Sequence, residues 1–87
     1  MLALATCYCN DLFREAARLG IAIDSVEVEA SAEFPSVGLA AKDIRYCAKI
    51  QSLASTAEID RLLRETDGVA EVHNTIRTGV PVELLPR

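Results

Sequence analysis

Apolar residues in the first nineteen positions recur with helical spacing. Leu2, Ala5, Cys9, Leu12, Phe13, Ala16 and Leu19 share one side, and Asp11, Arg14, Glu15 and Arg18 the other. The pattern predicts a helix over residues 2–19. Gly20 suits a left-handed stop, and Arg18 complements the C-terminal end of the macrodipole. No capping residue precedes Leu2, so the pattern starts in mid-helix; the expectation is a chain that once began further upstream. The period then changes to two. Val26, Val28 and Ala30 alternate with Glu27, Glu29 and Ser31, which predicts a strand with one wet face within residues 22–34. Pro35 to Gly38 reads as a turn. A second strand is expected over 42–53, with Ile44, Tyr46, Ala48 and Ile50 facing one way and Arg45, Cys47, Lys49 and Gln51 the other. The acidic face of the first strand and the basic face of the second suggest cross-strand partners, each contributing about 0.2–1 kcal/mol.

Ser55-Thr56-Ala57-Glu58 is a capping box that opens a second helix. Ile59, Leu62 and Leu63 form its apolar stripe, and Asp67-Gly68 is expected to end it. Residues 69–77 fit a third, short helix with Val69, Val72 and Ile76 inward. Beyond Gly79 the run Val80 to Leu84 predicts a short strand, confined to an edge by Pro81. The order is helix, strand, strand, helix, short helix, strand. This is an α+β class, with a small, mostly antiparallel three-stranded sheet covered by helices on one face. Such a structure is thin. A long amphipathic helix needs more cover than two or three strands supply, and a second copy of the chain is the expected partner.

Composition narrows the function. At 87 residues the chain is one domain, 1–87, with a marginal core. A hydrophobic fraction of 51% excludes disorder, and with no Trp the core must be built mainly from Leu, Val, Ile and Ala. A net charge of −4 argues against nucleic acid, which requires a basic face. No apolar run is long enough to span a membrane, and the first residues lack the basic start of a signal peptide. Three cysteines are an odd number and too few for a disulfide scaffold. A cytoplasmic location and free thiols are therefore expected.

The chemistry-bearing residues are few. Cys7 and Cys9 stand two apart on the first helix, so their side chains diverge by roughly 200°. Cys9 is expected among the apolar residues of the inward face. Cys7 is expected on the polar side, with Asp11 one turn on and Arg14 two turns on, near the helix start where the dipole favours an anion. The two cannot form a disulfide without unwinding the helix. Cys47 falls on a strand face and reads as inert. His73 has no carboxylate or thiol at ligand spacing, so no metal site is expected, and it reads as a residue that caps or packs beside the short helix. Asn74 and Thr75 read as local backbone partners. No phosphate-cradling loop is present and no cofactor is expected.

Three stretches carry a resemblance. They are Ala3-Leu4-Ala5-Thr6-Cys7-Tyr8-Cys9-Asn10, the spacing of thirteen positions from Cys7 to Gly20, and Val72-His73-Asn74-Thr75-Ile76 followed by Val80-Pro81-Val82. Together they resemble the OsmC/Ohr family of thiol-dependent peroxidases, which reduce organic hydroperoxides. The resemblance covers the whole chain but only the second half of a typical member; the family's β-rich N-terminal segment has no counterpart here. It implies an intertwined homodimer, attack on peroxide by Cys7, and regeneration by an external thiol. It also implies two departures. The family's resolving cysteine matches Ala70, and the activating Arg, with the Glu of the Ohr branch, would come from the missing segment. Arg14 and Arg45 are the candidate substitutes. The alternative reading is a non-catalytic or truncated member that keeps a dimer scaffold and a ligand-binding role.

Overall fold

The computed structural model describes residues 1–86. The elements are α1 (Leu2–Leu19), β1 (Ser25–Glu33), β2 (Lys42–Gln51), α2 (Thr56–Val69) and α3 (Glu71–Thr78). β1 and β2 form a two-stranded antiparallel sheet. The class is α+β as expected, but the third strand is not formed. Residues 80–86 adopt no regular structure, and Val82 and Leu84 are almost fully exposed. Pro81 removes a ladder donor from this short run, and its apolar side chains gain no burial to offset the entropy of ordering.

α1 ends where the sequence places its stop. Gly20 adopts φ 72°, the Ile21 N–H reaches the Ala16 carbonyl at 2.9 Å, and Ile21 is buried against the helix end. This is a Schellman cap, and a Cβ at Gly20 would strain it. The buried face of α1 differs from the expected one. It consists of Leu4, Tyr8, Asp11, Leu12, Glu15 and Ala16, while Leu2 is 81% and Phe13 47% exposed. The helix is turned by somewhat less than the ~100° step between neighbouring residues. Tyr8 explains the turn. Its large ring is buried and its hydroxyl donates to the Leu63 carbonyl at 2.8 Å, a contact that a Phe13-centred face would forfeit. The carboxylates drawn inward with Tyr8 keep partners. Glu15 accepts from Arg18 Nε at 2.8 Å and Arg14 Nε at 3.1 Å.

The sheet keeps the expected alternation over a shorter span than 22–34 and 42–53. Val26 opposes Ile50, Val28 opposes Ala48 and Ala30 opposes Tyr46. Val26, Val28, Tyr46, Ala48 and Ile50 pack on the core of Tyr8, Leu12, Ala16, Ile21, Leu62 and Ala70. On the outer face Glu27 opposes Lys49, as the charge pattern suggests, but Glu29 opposes Cys47 and Arg45 opposes Ser31. Near the hairpin end the register slips. Ser31 pairs with Arg45 and Glu33 with Lys42, so Asp43 and Ile44 stand opposite Ala32 alone. Asp43 takes φ 51° within this bulge, a left-handed conformation that Asp tolerates better than most residues.

The capping box of α2 is present: the Glu58 N–H donates to Ser55 Oγ at 3.2 Å, and the Ser55 N–H to Glu58 Oε1 at 3.5 Å. α2 runs through Gly68 to Val69 instead of ending at Asp67-Gly68. Gly68 has no positive φ, and both flanking turns are tied to α3: Asn74 Nδ2 donates to the Gly68 carbonyl at 3.1 Å and Arg77 Nη2 to Asp67 Oδ1 at 2.6 Å. The chain turns at Ala70, fully buried between the two helices. α3 also presents a different face. His73 is buried and Val72, expected inward, is half-buried, whereas Ile76 and Val69 (the last residue of α2), also expected inward, are exposed. His73 fills the inward position because Tyr8 and Tyr46 offer it ring faces.

The molecule is extended. Its Cα radius of gyration is 15.2 Å, against about 12 Å for a compact domain of this length. Two substitutions test the orientation of α1 at concentrations where the chain is monomeric. Tyr8→Ala is expected to lower unfolding free energy in urea by about 3–5 kcal/mol, and Leu2→Ala by less than about 0.5 kcal/mol. The expected-face arrangement reverses that order.

Candidate functional site

Cys7 is the sixth residue of α1. That places it in the second turn, beyond the stretch where the helix dipole acts most strongly. The turn of the helix changes the setting of both thiols. The centre of the buried face lies near Tyr8, and Cys7 and Cys9 flank it on either side, each about one 100° step away. Both are accordingly half-buried, in contrast to the expected pair of one core and one surface sulfur. All three cysteines are free.

The flank of α1 that carries Cys7 continues into a charged ladder. Asp11, one turn on, is nearly buried, and burial raises its carboxyl above the usual range although Arg14 Nη1 at 3.4 Å pulls the other way. Arg14 also bonds Glu15, and through Nη1 reaches Glu71 Oε1 at 3.1 Å, tying α1 to the start of α3. Arg18 bonds Glu15 and, at 3.3 Å, Glu65 of α2. The hydrogen bond from Arg18 is the main reason the Glu15 carboxyl is held below its usual range. Arg14 is thus shared among three carboxylates.

Arg45 lies elsewhere. It lines a groove of about 620 Å³ between the start of α1 and the hairpin, together with Leu2, Ala5 and Cys47. Cys47 belongs to the outer face of the sheet, out of phase with Tyr46 and Ala48, which pack toward α1. Cys7 does not line this groove. The structure therefore does not gather Cys7, Arg45 and Cys47 into one site. Ala70 is sealed in the core at the corner between α2 and α3.

One cluster is not evident from the sequence pattern. Tyr8, Tyr46 and His73 pack together, edge-to-face for Tyr8–Tyr46 and Tyr46–His73 and tilted for Tyr8–His73, with ring centroids 4.6, 4.4 and 5.1 Å apart. The Tyr46 hydroxyl donates to Asp67 Oδ1, the same oxygen that Arg77 grips. The hydrogen bond from Arg77 holds the Asp67 carboxyl below its usual range despite partial burial. Burial and the bond to Asp67 push the Tyr46 phenol well up. The available signal is the spacing Leu4, Tyr8, Leu12 and Leu19, which makes an apolar stripe as good as the Phe13-centred one. Among the described residues no group of three His, Cys, Asp or Glu side chains could hold a metal, and no helix is long and apolar enough to cross a membrane.

A model of one family, described as OsmC-like protein, matches residues 1–85. No curated protein matches the chain.

Burial holds the His73 imidazole below its ordinary value of 6.5; nearby Arg77 adds to the effect, and Asp67 and Asp11 oppose it. The folded state thus binds the His73 proton less readily than the unfolded chain. The associated stability is complete above about pH 6.5 and falls as pH drops below it, because the unfolded state then binds more protons. Urea titrations between pH 7.5 and pH 5 are expected to show this decline in the parent chain and a flatter profile in His73→Phe. Equal slopes contradict it.

Proposed function

We propose, for a chain that belongs to the OsmC-like protein family, a thiol-dependent peroxidase or redox activity on organic hydroperoxides carried by Cys7. The observation that carries this reading is the family match over residues 1–85, with Cys7 free and half-buried on the central helix. The Cys7 thiolate attacks the terminal oxygen of the hydroperoxide. The O–O bond breaks, the alcohol leaves after taking a proton, and the sulfur becomes a sulfenic acid. With Ala70 in place of a second thiol, and with Cys9 pointing away on the same helix, an external thiol completes the cycle. It displaces water to form a mixed disulfide, and a second thiol releases Cys7. The sum is one hydroperoxide and two thiols converted to alcohol, water and a disulfide. A homodimer is part of the same reading. Leu2, Phe13, Val82 and Leu84 present apolar surface that a second copy would cover.

A second reading is a non-catalytic dimerisation or ligand-binding module. The commitment of Arg14 to three carboxylates favours it, since that cation is then not available to the thiol. Kinetics separate the two. Under the first reading the parent chain with excess dithiol consumes an organic hydroperoxide catalytically, and Cys7→Ser loses that turnover by at least about 100-fold, while Cys9→Ser and Cys47→Ser retain it. Equal consumption by Cys7→Ser and the parent refutes the assignment. Alkylation of Cys7 at the rate of an ordinary exposed thiol, without turnover, supports the module. Light scattering at micromolar concentration is expected to give twice the 9.4 kDa chain mass; a well-folded monomer contradicts the dimer.

A further inference from the structure

Beside the aromatic cluster lies a pocket of about 290 Å³. β2 contributes Lys42, Asp43, Ile44 and Tyr46, α1 contributes Leu4, and α3 contributes His73, Ile76 and Arg77. His73 is only 3% exposed, yet neither ring nitrogen has a hydrogen-bond partner among the described residues. Native proteins rarely leave buried polar atoms unpaired, and those that do so usually have a ligand or a function to account for them. A neutral imidazole offers one N–H donor and one acceptor. The hairpin is shaped around the same place: the bulge at Asp43 and Ile44 is the one register slip between β1 and β2.

The lining states the chemistry of the occupant. Leu4, Ile44 and Ile76 call for hydrocarbon. Arg77 is already held by Asp67 and Asn74, whereas Lys42 makes no ion pair among the described residues. Asp43 sets a limit on negative charge, disfavouring a dianion such as a phosphate ester. The space is roughly that of ten water molecules. We propose that this pocket binds a small amphipathic monocarboxylate, with its anionic end against Lys42 and its alkyl chain on Leu4, Ile44 and Ile76, beside the enclosed His73 ring. Leu4 precedes Cys7 by one helical turn, but Cys7 is not in the lining, so the subsite is separate from the thiol and does not depend on the peroxidase reading.

Hexanoate is the probe, titrated into the full chain while the His73 ring resonances are followed by NMR. A saturable shift of those resonances is expected. Hexanol, which lacks the charge, is expected to bind about tenfold more weakly, the factor that corresponds to 1.4 kcal/mol. Lys42→Gln, an exposed substitution, is expected to reduce hexanoate affinity by a similar factor and leave hexanol unchanged. Cys7→Ser is expected to bind hexanoate as the parent does. No saturable shift at His73, equal affinity for hexanol and hexanoate, or no effect of Lys42→Gln overturns the site. Loss of binding in Cys7→Ser overturns its separation from the thiol. Peroxide turnover without hexanoate binding rejects this site alone and leaves the peroxidase reading intact.

Discussion

Tyr8, Tyr46 and His73 come from α1, β2 and α3, and each brings a polar atom into the interior. Their mutual packing, largely edge-to-face, is the constraint on which the rest of the structure depends. A buried tyrosine hydroxyl requires a partner, so Tyr8 is tied to the Leu63 carbonyl and Tyr46 to Asp67. Those two bonds fix α2 relative to the long helix and the hairpin. Asp67 in turn recruits Arg77 and so anchors α3. The rotation of α1 follows from the same requirement. To seat Tyr8 the helix must draw Asp11 and Glu15 inward, and the cost of burying carboxylates is offset by Arg14 and Arg18. Leu2 and Phe13 are left outside as a consequence.

Local signals were legible in the sequence wherever backbone chemistry decides the outcome. The Gly20 stop, the Ser55 capping box and the two alternating strands formed as expected, because each depends on residues close in the chain. Signals that depend on tertiary partners were misleading. Phe13 and Leu2 satisfied the helical period as well as Tyr8 and Leu4 did, and only the partners on α2 and α3 distinguish the two stripes. Asp67-Gly68 reads as a stop until Arg77 and Asn74 hold the turn in helical form. Val80 to Leu84 alternates as a strand should, but alternation supplies no neighbouring strand. His73 was legible as a packing residue, though its burial between two tyrosines was not.

For the thiols, the rotation of α1 has chemical consequences. Cys7 and Cys9 flank the buried face symmetrically, so exposure does not by itself single out one of them. Cys47 is the most exposed of the three cysteines and stands on the outer face of the sheet. A reactive Cys7 would therefore owe its reactivity to its surroundings on α1, and a chain oxidised according to exposure alone would react first at Cys47.

That contrast defines the most direct measurement. The parent chain is treated with one equivalent of an organic hydroperoxide in the presence of a dimedone-type probe, and the adducts are mapped by peptide mass spectrometry. A peroxidatic role for Cys7 predicts label on Cys7 with little on Cys9 or Cys47. Label that follows exposure, with Cys47 first and Cys7 unmodified, would contradict it.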